Sequence, residues 1–218
     1  MVRVACLLIG YVCGLFQTAY IYGRINGIDI REYGSGNSGT TNALRVLGKK
    51  AGLIVFAGDI LKILAAGFLV TVLFNQGDFF GDRAALYKLY AGLGAVLGHN
   101  FPFYLHFKGG KGVAASAGML LALDWKVFLI AAGVFLILFF TIQYVSVGSI
   151  SAYVTAWICF VVFGAIGCYG MDLSHTVEMD VVMGLMTVLA VYRHRSNISR
   201  LLSGKESKVY LGKASKNK

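Results

Sequence analysis

The chain has few charged residues and almost no proline. Of its 218 residues, 14 % are charged, one is proline and 57 % are hydrophobic. A soluble domain of this length carries about a quarter charged residues. The mean hydropathy of +0.71 points the same way. The composition excludes a disordered protein, a nucleic-acid-binding domain and a disulfide-rich secreted module. It predicts an all-α, polytopic membrane protein formed by one domain, residues 1–218.

Several motifs are missing as well. The spacings of Cys6, Cys13, Cys159 and Cys168 match no metal or redox motif, so these residues are interpreted as small packing residues. No cluster has metal-ligand spacing, and we expect no metal and no cofactor. The N-terminal apolar run lacks a small-residue cleavage site, which favours a retained first span over a signal peptide.

Seven apolar segments predict seven transmembrane helices. Two of them, the fourth and the seventh, are short enough to be half-helices buried in protein rather than full crossings. The predicted spans are residues 4–22, 51–74, 85–104, 113–123, 127–144, 149–168 and 180–192.

The distribution of charge predicts the orientation, because Lys and Arg collect on the cytoplasmic side. With the N-terminus outside and the C-terminus cytoplasmic, 15 of the 20 basic residues lie inside. Six of the ten acidic residues then lie outside: Asp78, Asp82, Asp124, Asp172, Glu178 and Asp180. Four unusually polar stretches share the inner face, where we expect them to build one site: residues 31–45, 99–112, 144–149 and 193–206.

The first stretch, residues 31–45, alternates glycines with small hydroxyl and amide residues. Glycine lets successive N–H groups turn toward one point and form an anion nest, to which side-chain donors and a forked arginine can add. The candidate binding residues are Ser35, Gly36, Asn37, Ser38, Gly39, Thr40, Thr41, Asn42 and Arg45. The alternative is a flexible interhelical loop that caps the next span.

The same glycines match the dinucleotide fingerprint G-x-G-x-x-G. That fingerprint requires a preceding strand and a βαβ unit. Here a membrane helix precedes the glycines, and no Lys-Ser or Lys-Thr follows them, so a nucleotide-binding fold is not expected.

The second stretch contains Pro102, which we expect to end or kink the third span. It continues into a Gly-Gly-Lys-Gly run at the start of the short fourth span, where N–H groups and the helix dipole favour an anion. Candidate residues are His99, Lys108, Gly109, Gly110, Lys111 and Gly112. A basic loop is also expected from topology alone, and His99 is equally compatible with an interfacial histidine.

Two shorter stretches add candidates. Ser146 and Ser149 can bind a ligand, or Ser149 can simply N-cap the sixth span. His194 and Asn197 are three residues apart, so they share a helix face that Arg200 extends. Such a basic helix also serves as a lipid-headgroup anchor.

The last stretch ends in a basic tail. Gly204 is expected to end its helix, and Glu206 follows as a further candidate. The tail, residues 207–218, is assigned to headgroup binding or to disorder.

Two further patterns call for interpretation. Asp59 and Lys62, at i and i+3 within the second span, form either a structural pair or part of a site. The segment from His175 to Asp180 fits the His-x4-Asp pattern of acyl-CoA-dependent glycerolipid acyltransferases. We interpret that match as coincidence, because it is expected in an outer loop away from the four polar stretches.

The polar stretches together resemble one family, the bacterial acyl-phosphate-dependent glycerol-3-phosphate acyltransferases, or PlsY family. Residues 31–45 resemble its motif GSGNxGATN, residues 99–113 resemble GHxFPxFLxFKGGKGVA, and residues 193–206 resemble HRxNIxRLxxGxE. The resemblance covers essentially the whole chain. Two departures are Gln17, where the family has proline in a GSxPxAY stretch, and Thr40, where it has alanine.

The resemblance implies an enzyme of the bacterial plasma membrane that catalyses the first acylation step of phospholipid synthesis. A fatty acyl group would pass from acyl phosphate to the 1-hydroxyl of glycerol 3-phosphate, giving lysophosphatidic acid and phosphate. The partners would be these two substrates and membrane lipid, without nucleic acid, acyl-CoA, carrier protein or metal, and we expect a monomer.

Roles for the candidate residues follow as a hypothesis. Lys111 and the amides of residues 109–112 would stabilise charge on the acyl phosphate. One phosphate would be held by Ser35, Asn37, Thr41, Asn42 and Arg45. His194, Asn197 and Arg200 would hold the other substrate, with His194 or the substrate phosphate as general base.

Two functions of other classes remain open at this point. A transporter or channel for small phosphate esters also suits basic cradles at broken helices, but it predicts matching polar access on both faces. A non-catalytic membrane scaffold leaves the glycine-rich cradles unexplained.

Overall fold

The computed structural model describes residues 1–75 and 82–209, and helices account for all the regular secondary structure in these two ranges. Asp78 and tail residues 210–218, on which the sequence analysis made predictions, lie outside them. The α-helices are α1 Val2–Gly14, α2 Thr18–Ile25, α3 Thr40–Phe74, α4 Asp82–Asn100, α5 Val113–Leu123, α6 Trp125–Ile142, α7 Val145–Ala165, α8 Leu173–Arg193 and α9 Arg195–Leu202. Two single-turn 3-10 helices, Ile30–Glu32 and Phe103–Leu105, lie in the connections.

The first predicted span is two helices rather than one. Between α1 and α2, Gln17 has φ −95° and ψ 84°, which interrupts the helical hydrogen bonds. Its buried side-chain amide donates to the carbonyls of Gly14, Gly98 and His99 at 3.1–3.2 Å. One polar side chain at the break therefore supplies donors to carbonyls at the ends of both α1 and α4, which an apolar environment requires.

Helix α3, which corresponds to the second predicted span, also differs from its prediction. α3 begins at Thr40, eleven residues before the predicted span, so the end of the predicted glycine-rich loop is helical. Gly48 interrupts α3 with φ 86° and ψ −177°, a conformation that glycine adopts without steric cost. The first segment of α3 therefore runs in a different direction from the long apolar remainder.

The short fourth helix is confirmed at Val113–Leu123, about 16 Å long at 1.5 Å per residue. The prediction of a short seventh span is wrong, because the corresponding helix, α8, has 21 residues and begins at Leu173. Asp172 caps it by accepting from the His175 N–H at 2.8 Å. The segment from His175 to Asp180 consequently lies in the first turns of α8 and not in a loop.

Among the described residues, five helical stretches are long and apolar enough to cross a membrane. They are Val2–Ile25, Thr40–Phe74, Trp125–Ile142, Val145–Ala165 and Leu173–Arg193. Large apolar side chains on them are exposed, for example Phe140 and Val188. The count of seven crossings and the orientation stay predictions.

The helices group into two compact units, Met1–Leu123 and Asp124–Lys218. In the first unit, α1 and α4 pack backbone against backbone through glycines. A Cβ at Gly10 or Gly14 would overlap the carbonyl of Ala91 or Ala95 on α4, and one at Gly94 would overlap the Leu7 carbonyl on α1. Small residues at such contacts allow the close approach on which helix association in membranes depends.

In the second unit, α8 packs on α7 beneath an aromatic side chain. The Trp157 indole N–H donates to the Asp180 carbonyl at 3.0 Å. The same ring lies over Gly184, where a Cβ would come within 3.0 Å of it. A glycine again allows the close approach, since a larger residue would displace the indole.

We predict that Gly94→Ala destabilises the protein, because its Cβ would meet the backbone of α1. Overpacking of this kind costs about 1–3 kcal/mol. The apparent Tm should fall by about 5 °C, measured in detergent with a thiol-reactive dye that reports exposure of Cys6 as the protein unfolds. The control is Gly133→Ala in α6, where a Cβ meets nothing within 4 Å. Equal melting of the two variants would contradict the tight α1–α4 contact.

Candidate active site

In the first unit, the glycine-rich loop before α3 is folded around the buried side chain of Asn42. Its Oδ1 accepts from the Ser35 N–H at 2.8 Å, and its Nδ2 donates to the Ile30 and Tyr33 carbonyls at 3.1 and 3.0 Å. Gly34, with φ 60°, lies so close that a Cβ would meet Asn42 Oδ1. The expectation that Asn42 faces a phosphate is corrected, because both its N–H donors are used to hold the loop.

The N-terminal end of α3 has hydroxyl groups that form no hydrogen bond within the described part of the chain. Gly39 is the N-cap and supplies no side-chain cap. The buried hydroxyls of Ser38 and Thr40 have no hydrogen-bond partner within residues 1–75 and 82–209. A helix N-terminus with unsatisfied hydroxyl groups favours an anion through its N–H groups and its dipole. The anion nest predicted from the sequence lies in the same stretch of the chain, and anion binding there stays a prediction.

The other predicted residues of this loop differ in exposure. Ser35, Gly36 and Arg45 are exposed, while Asn37 and Thr41 are half-buried. Arg31, which flanks the loop, pairs with Asp29 at 2.6 Å and holds the pKa of that carboxyl at about 2. The Arg31 charge is therefore balanced within the protein, whereas Arg45 is exposed beside the loop.

The loop between α4 and α5 turns back on the end of α4. Pro102 lies two residues after Asn100, the last residue of α4, as predicted for a residue that cannot continue a helix. His106 and Phe107 then have φ 55° and 59°, left-handed conformations that cost non-glycine residues about 1–3 kcal/mol each. Such strain persists only where surrounding contacts determine the backbone.

Those contacts occupy two of the predicted anion donors. The Gly109 N–H donates to the Asn100 carbonyl at 3.2 Å, and the Gly110 N–H donates to the His99 carbonyl at 3.1 Å. The expectation that both N–H groups face an anion is wrong, because the reversed loop uses them to pair with the end of α4. Lys111, half-buried, and the left-handed Gly112 end the loop, and Lys108 is exposed.

The two loops of the first unit are in contact at Gly110. A Cβ there would lie 2.7 Å from the Ser38 carbonyl and would overlap the His99 ring. Ser38 adjoins the N-terminus of α3, and Gly110 precedes Lys111. The fold thus brings the N-terminus of α3 and the Gly-Gly-Lys-Gly run together, as expected from the sequence.

Asp59 and Lys62 do form a pair, and His99 joins it. Lys62 Nζ lies 2.8 Å from Asp59 Oδ1, from the Phe16 carbonyl and from His99 Nδ1. Thr18 Oγ1 donates to Asp59 Oδ1 at 3.3 Å. All three ionisable side chains are at least 93 % buried. His99 is consequently an interior residue and not an interfacial one.

In the second unit, the Glu206 carboxylate gathers three donors. Oε1 accepts from Ser146 Oγ at 3.1 Å and from Asn197 Nδ2 at 2.5 Å, and Oε2 accepts from Arg200 Nε at 2.7 Å. Burial alone would raise the pKa of Glu206, but these hydrogen bonds outweigh it and hold that pKa below its usual value. The carboxylate therefore orients its neighbours on α7 and α9.

His194 lies at the junction of α8 and α9 and is 2 % exposed. Its Nδ1 lies 2.8 Å from the Ala190 carbonyl, to which it must donate because a carbonyl has no proton. In the neutral ring the lone pair is then on Nε2. Gly204, with φ 68°, follows the end of α9 as predicted.

Ser149 is not an N-cap. α7 already begins at Val145, and the buried Ser149 hydroxyl donates to the Val145 carbonyl of its own helix at 2.7 Å. The N-cap prediction is wrong by one turn. Ser146, in the first turn, is the serine that contacts other functional candidates.

Two residues near the helix break have roles that the sequence did not predict. Thr18 supports Asp59, and Gln17 bridges to α4. Gln17 stood out only as a departure from the family motif. A polar residue with three interior acceptors carries no local sequence signal, because its partners are 81 and 82 positions away.

No group of three His, Cys, Asp or Glu side chains that could hold a metal ion occurs among residues 1–75 and 82–209. The donors gathered in each unit are instead hydroxyl, amide, ammonium and guanidinium groups. These groups suit phosphorylated ligands.

Two known proteins similar to this chain are named glycerol-3-phosphate acyltransferases. A glycerol-3-phosphate acyltransferase from Lactiplantibacillus plantarum is 42 % identical over 207 residues, 94 % of this chain and 91 % of that protein. Glycerol-3-phosphate acyltransferase 2 from Bacillus cereus is 41 % identical over 210 residues and covers 96 % of each chain.

Solved structures agree with the fold. The crystal structure of PlsY (YgiH), an integral membrane glycerol 3-phosphate acyltransferase, in its glycerol 3-phosphate form superimposes with a TM-score of 0.79 at 33 % identity. It covers 95 % of this chain and 96 % of that one. The lysophosphatidic acid form of PlsY gives the same TM-score at 32 % identity.

The profile of the family described as Glycerol-3-phosphate acyltransferase matches residues 4–204. The sequence motifs, the helical fold and these similarities agree with one another. This chain belongs to the glycerol-3-phosphate acyltransferase family.

Proposed function

We propose that this acyltransferase uses acyl phosphate as its donor and acylates the 1-hydroxyl of glycerol 3-phosphate. The products are 1-acylglycerol 3-phosphate and inorganic phosphate. The observation that carries the proposal is at the N-terminal end of α3. There the buried Ser38 and Thr40 hydroxyls lack partners among the described residues, beside the loop that bears Lys111. Both substrates carry the phosphate that such donors bind.

The chemistry requires no covalent intermediate. The C1 oxygen of glycerol 3-phosphate attacks the carbonyl carbon of the mixed anhydride, and a new ester bond forms. The bond between that carbon and the phosphate oxygen breaks, and phosphate leaves with the electron pair. The hydroxyl proton passes to a base. Phosphate is a good leaving group, so the enzyme's main task is to hold the two reactants at attack distance.

In the first unit, we assign Lys111 and the Gly112 N–H to the acyl phosphate, whose charge grows as the anhydride bond breaks. The hydroxyls and N–H groups at the start of α3, with Arg45, bind phosphate oxygens. Asn42 contributes indirectly, because it determines the shape of the loop that carries Ser35 and Asn37.

In the second unit, we assign His194, Asn197 and Arg200 to glycerol 3-phosphate. The Ala190 carbonyl orients the His194 ring, so that Nε2 is the nitrogen able to take the hydroxyl proton. Glu206 holds Asn197 and Arg200 in place, and because its carboxylate repels phosphate, it acts through these two neighbours.

We place the N-terminus outside and the C-terminus in the cytoplasm of a bacterial cell, with the reaction at the cytoplasmic face of the plasma membrane. The bias of basic residues toward the inner segments supports this orientation. Five helical stretches of spanning length within the described residues support a multi-pass protein.

The donor is tested with purified protein in detergent containing a chelator. Incubation with glycerol 3-phosphate and palmitoyl phosphate should release phosphate and lysophosphatidic acid in a one-to-one ratio, and palmitoyl-CoA should give no product. Lys111→Met should lower kcat/KM by at least about 100-fold, as loss of a charge-stabilising donor does. Product from the CoA donor alone would refute acyl phosphate as the donor.

The base is tested with His194→Gln, for which we expect kcat to fall by at least about 100-fold. The matched control is His175→Gln at the opposite end of α8, where the His175 ring pairs with the capping Asp172 at 3.1 Å. The control should keep wild-type turnover. More than a tenth of the wild-type rate in His194→Gln would assign the base role to the substrate phosphate instead.

The orientation is tested by labelling single cysteines in intact cells with a membrane-impermeant thiol reagent, in a variant whose four native cysteines are replaced. Lys205→Cys, exposed after α9, should stay unlabelled, while Ser174→Cys, exposed at the start of α8, should react. The opposite pattern would invert the proposed topology.

A further inference from the structure

The buried group formed by Asp59, Lys62 and His99 has no part in the proposed chemistry, yet it is costly to maintain. Ionisable side chains within membrane helices are rare and mark functional positions when they occur. Breaking a buried pair leaves an uncompensated charge, whereas replacing both partners by apolar residues is often neutral. Charge balance between Asp59 and Lys62 alone therefore does not explain why the pair is present.

The geometry around Lys62 determines the state of His99. An ammonium group has three N–H donors and no acceptor. Lys62 Nζ has three acceptors at 2.8 Å: Asp59 Oδ1, the Phe16 carbonyl and His99 Nδ1. With Lys62 charged in its ion pair with Asp59, all three protons are used and His99 Nδ1 accepts. A neutral imidazole that accepts through Nδ1 carries its proton on Nε2.

The other side of His99 faces the Gly-Gly-Lys-Gly run. Its ring occupies the space that a Cβ of Gly110 would need, and its carbonyl accepts the Gly110 N–H at 3.1 Å. Gln17 also donates to the His99 carbonyl, at 3.1 Å, so backbone and ring of this residue are both held. The position of Gly110, and of Lys111 directly after it, depends on where His99 lies.

We propose that Asp59 and Lys62 are positioning residues that orient His99, and that His99 in turn sets the position of the loop bearing Lys111. The three elements involved are the α1–α2 break, α3 and the end of α4. The proposal rests on the proposed function for the role of Lys111, but the loop geometry can be measured without turnover.

The test compares two variants with a matched control. Lys62→Met removes the donor to His99 and leaves Asp59 charged. The double variant Asp59→Leu/Lys62→Met removes both charges, so any loss due only to an unpaired charge should be restored. Thr71→Val is the control, because Thr71 is buried in the same helix and donates only to its own helix at Gly67.

The first readout is hydrogen exchange of the Gly109 and Gly110 amides, followed by mass spectrometry. Their bonds to the Asn100 and His99 carbonyls should protect them in the wild type and in Thr71→Val. In the double variant we expect faster exchange confined to this loop, with α7 and α8 unchanged. Wild-type protection of the loop in the double variant would overturn the proposal, whatever the enzyme's donor is.

The second readout is the separation of KM from kcat for the two substrates. A loop displaced by about 1 Å can cost on the order of 100-fold in rate. In the double variant the KM for acyl phosphate should rise by at least about 10-fold, with the KM for glycerol 3-phosphate changed by less than about twofold. Wild-type kinetics in the double variant would show that the pair serves only to balance charge.

Failure of the two proposals can be told apart. A wild-type protein inactive with acyl phosphate, but with a loop whose exchange responds to the double variant, would refute the donor and keep the positioning role. If the wild type is active with acyl phosphate and the double variant matches it in exchange and kinetics, the donor is kept and the positioning role is refuted. Nitrogen-15 spectra of His99, assigned with His99→Gln, provide a third check, since protonated Nδ1 would contradict the arrangement around Lys62.

Discussion

Wherever the helices of this protein are interrupted, backbone groups lose their helical partners and must find others inside the protein. In an apolar surrounding no water replaces them. At the α1–α2 break, Gln17 donates to the Gly14 carbonyl and to two carbonyls at the end of α4, and Asn42 satisfies the backbone of the loop before α3. After α4, the reversed loop pairs Gly109 and Gly110 with the helix it has just left. The candidate active-site geometry depends on how these interruptions are satisfied.

The need to satisfy these backbone groups separates side chains and N–H groups that can bind a substrate from those that hold the loops in shape. Backbone donors in a glycine-rich loop suggest an anion nest. In the loop between α4 and α5, however, the N–H groups of Gly109 and Gly110 are already bonded to carbonyls. The first turn of α3 is different, because its cap is a glycine and the nearby Ser38 and Thr40 hydroxyls have no partner among the described residues. In the second unit, Glu206 orients Asn197 and Arg200, and the Ala190 carbonyl sets the tautomer of His194. Binding at the start of α3 is thus assigned to hydroxyls that folding has not used.

Close helix packing supplies the rigidity that such positioning needs. Glycines on α1 and α4 let the two backbones touch, so the break at Gln17 and the end of α4 at His99 lie next to each other. Lys62 then reaches both from α3. A buried ammonium with three acceptors has little freedom to move, and it ties three elements together at one point. The loop that bears Gly110 and Lys111 contacts His99, so its position depends on that of His99.

The amino-acid sequence by itself determined the helical membrane class, the short α5, the end of α4 before Pro102 and the family, because apolar runs, proline and long motifs are local signals. It also predicted which stretches carry phosphate chemistry. Only the tertiary structure decided which donors remain available: Asn42, Gly109 and Gly110 are used internally, and His99 is interior. It also decided that Lys62 contacts Phe16 and His99 besides Asp59. These outcomes depend on partners tens of residues away, which no local pattern specifies.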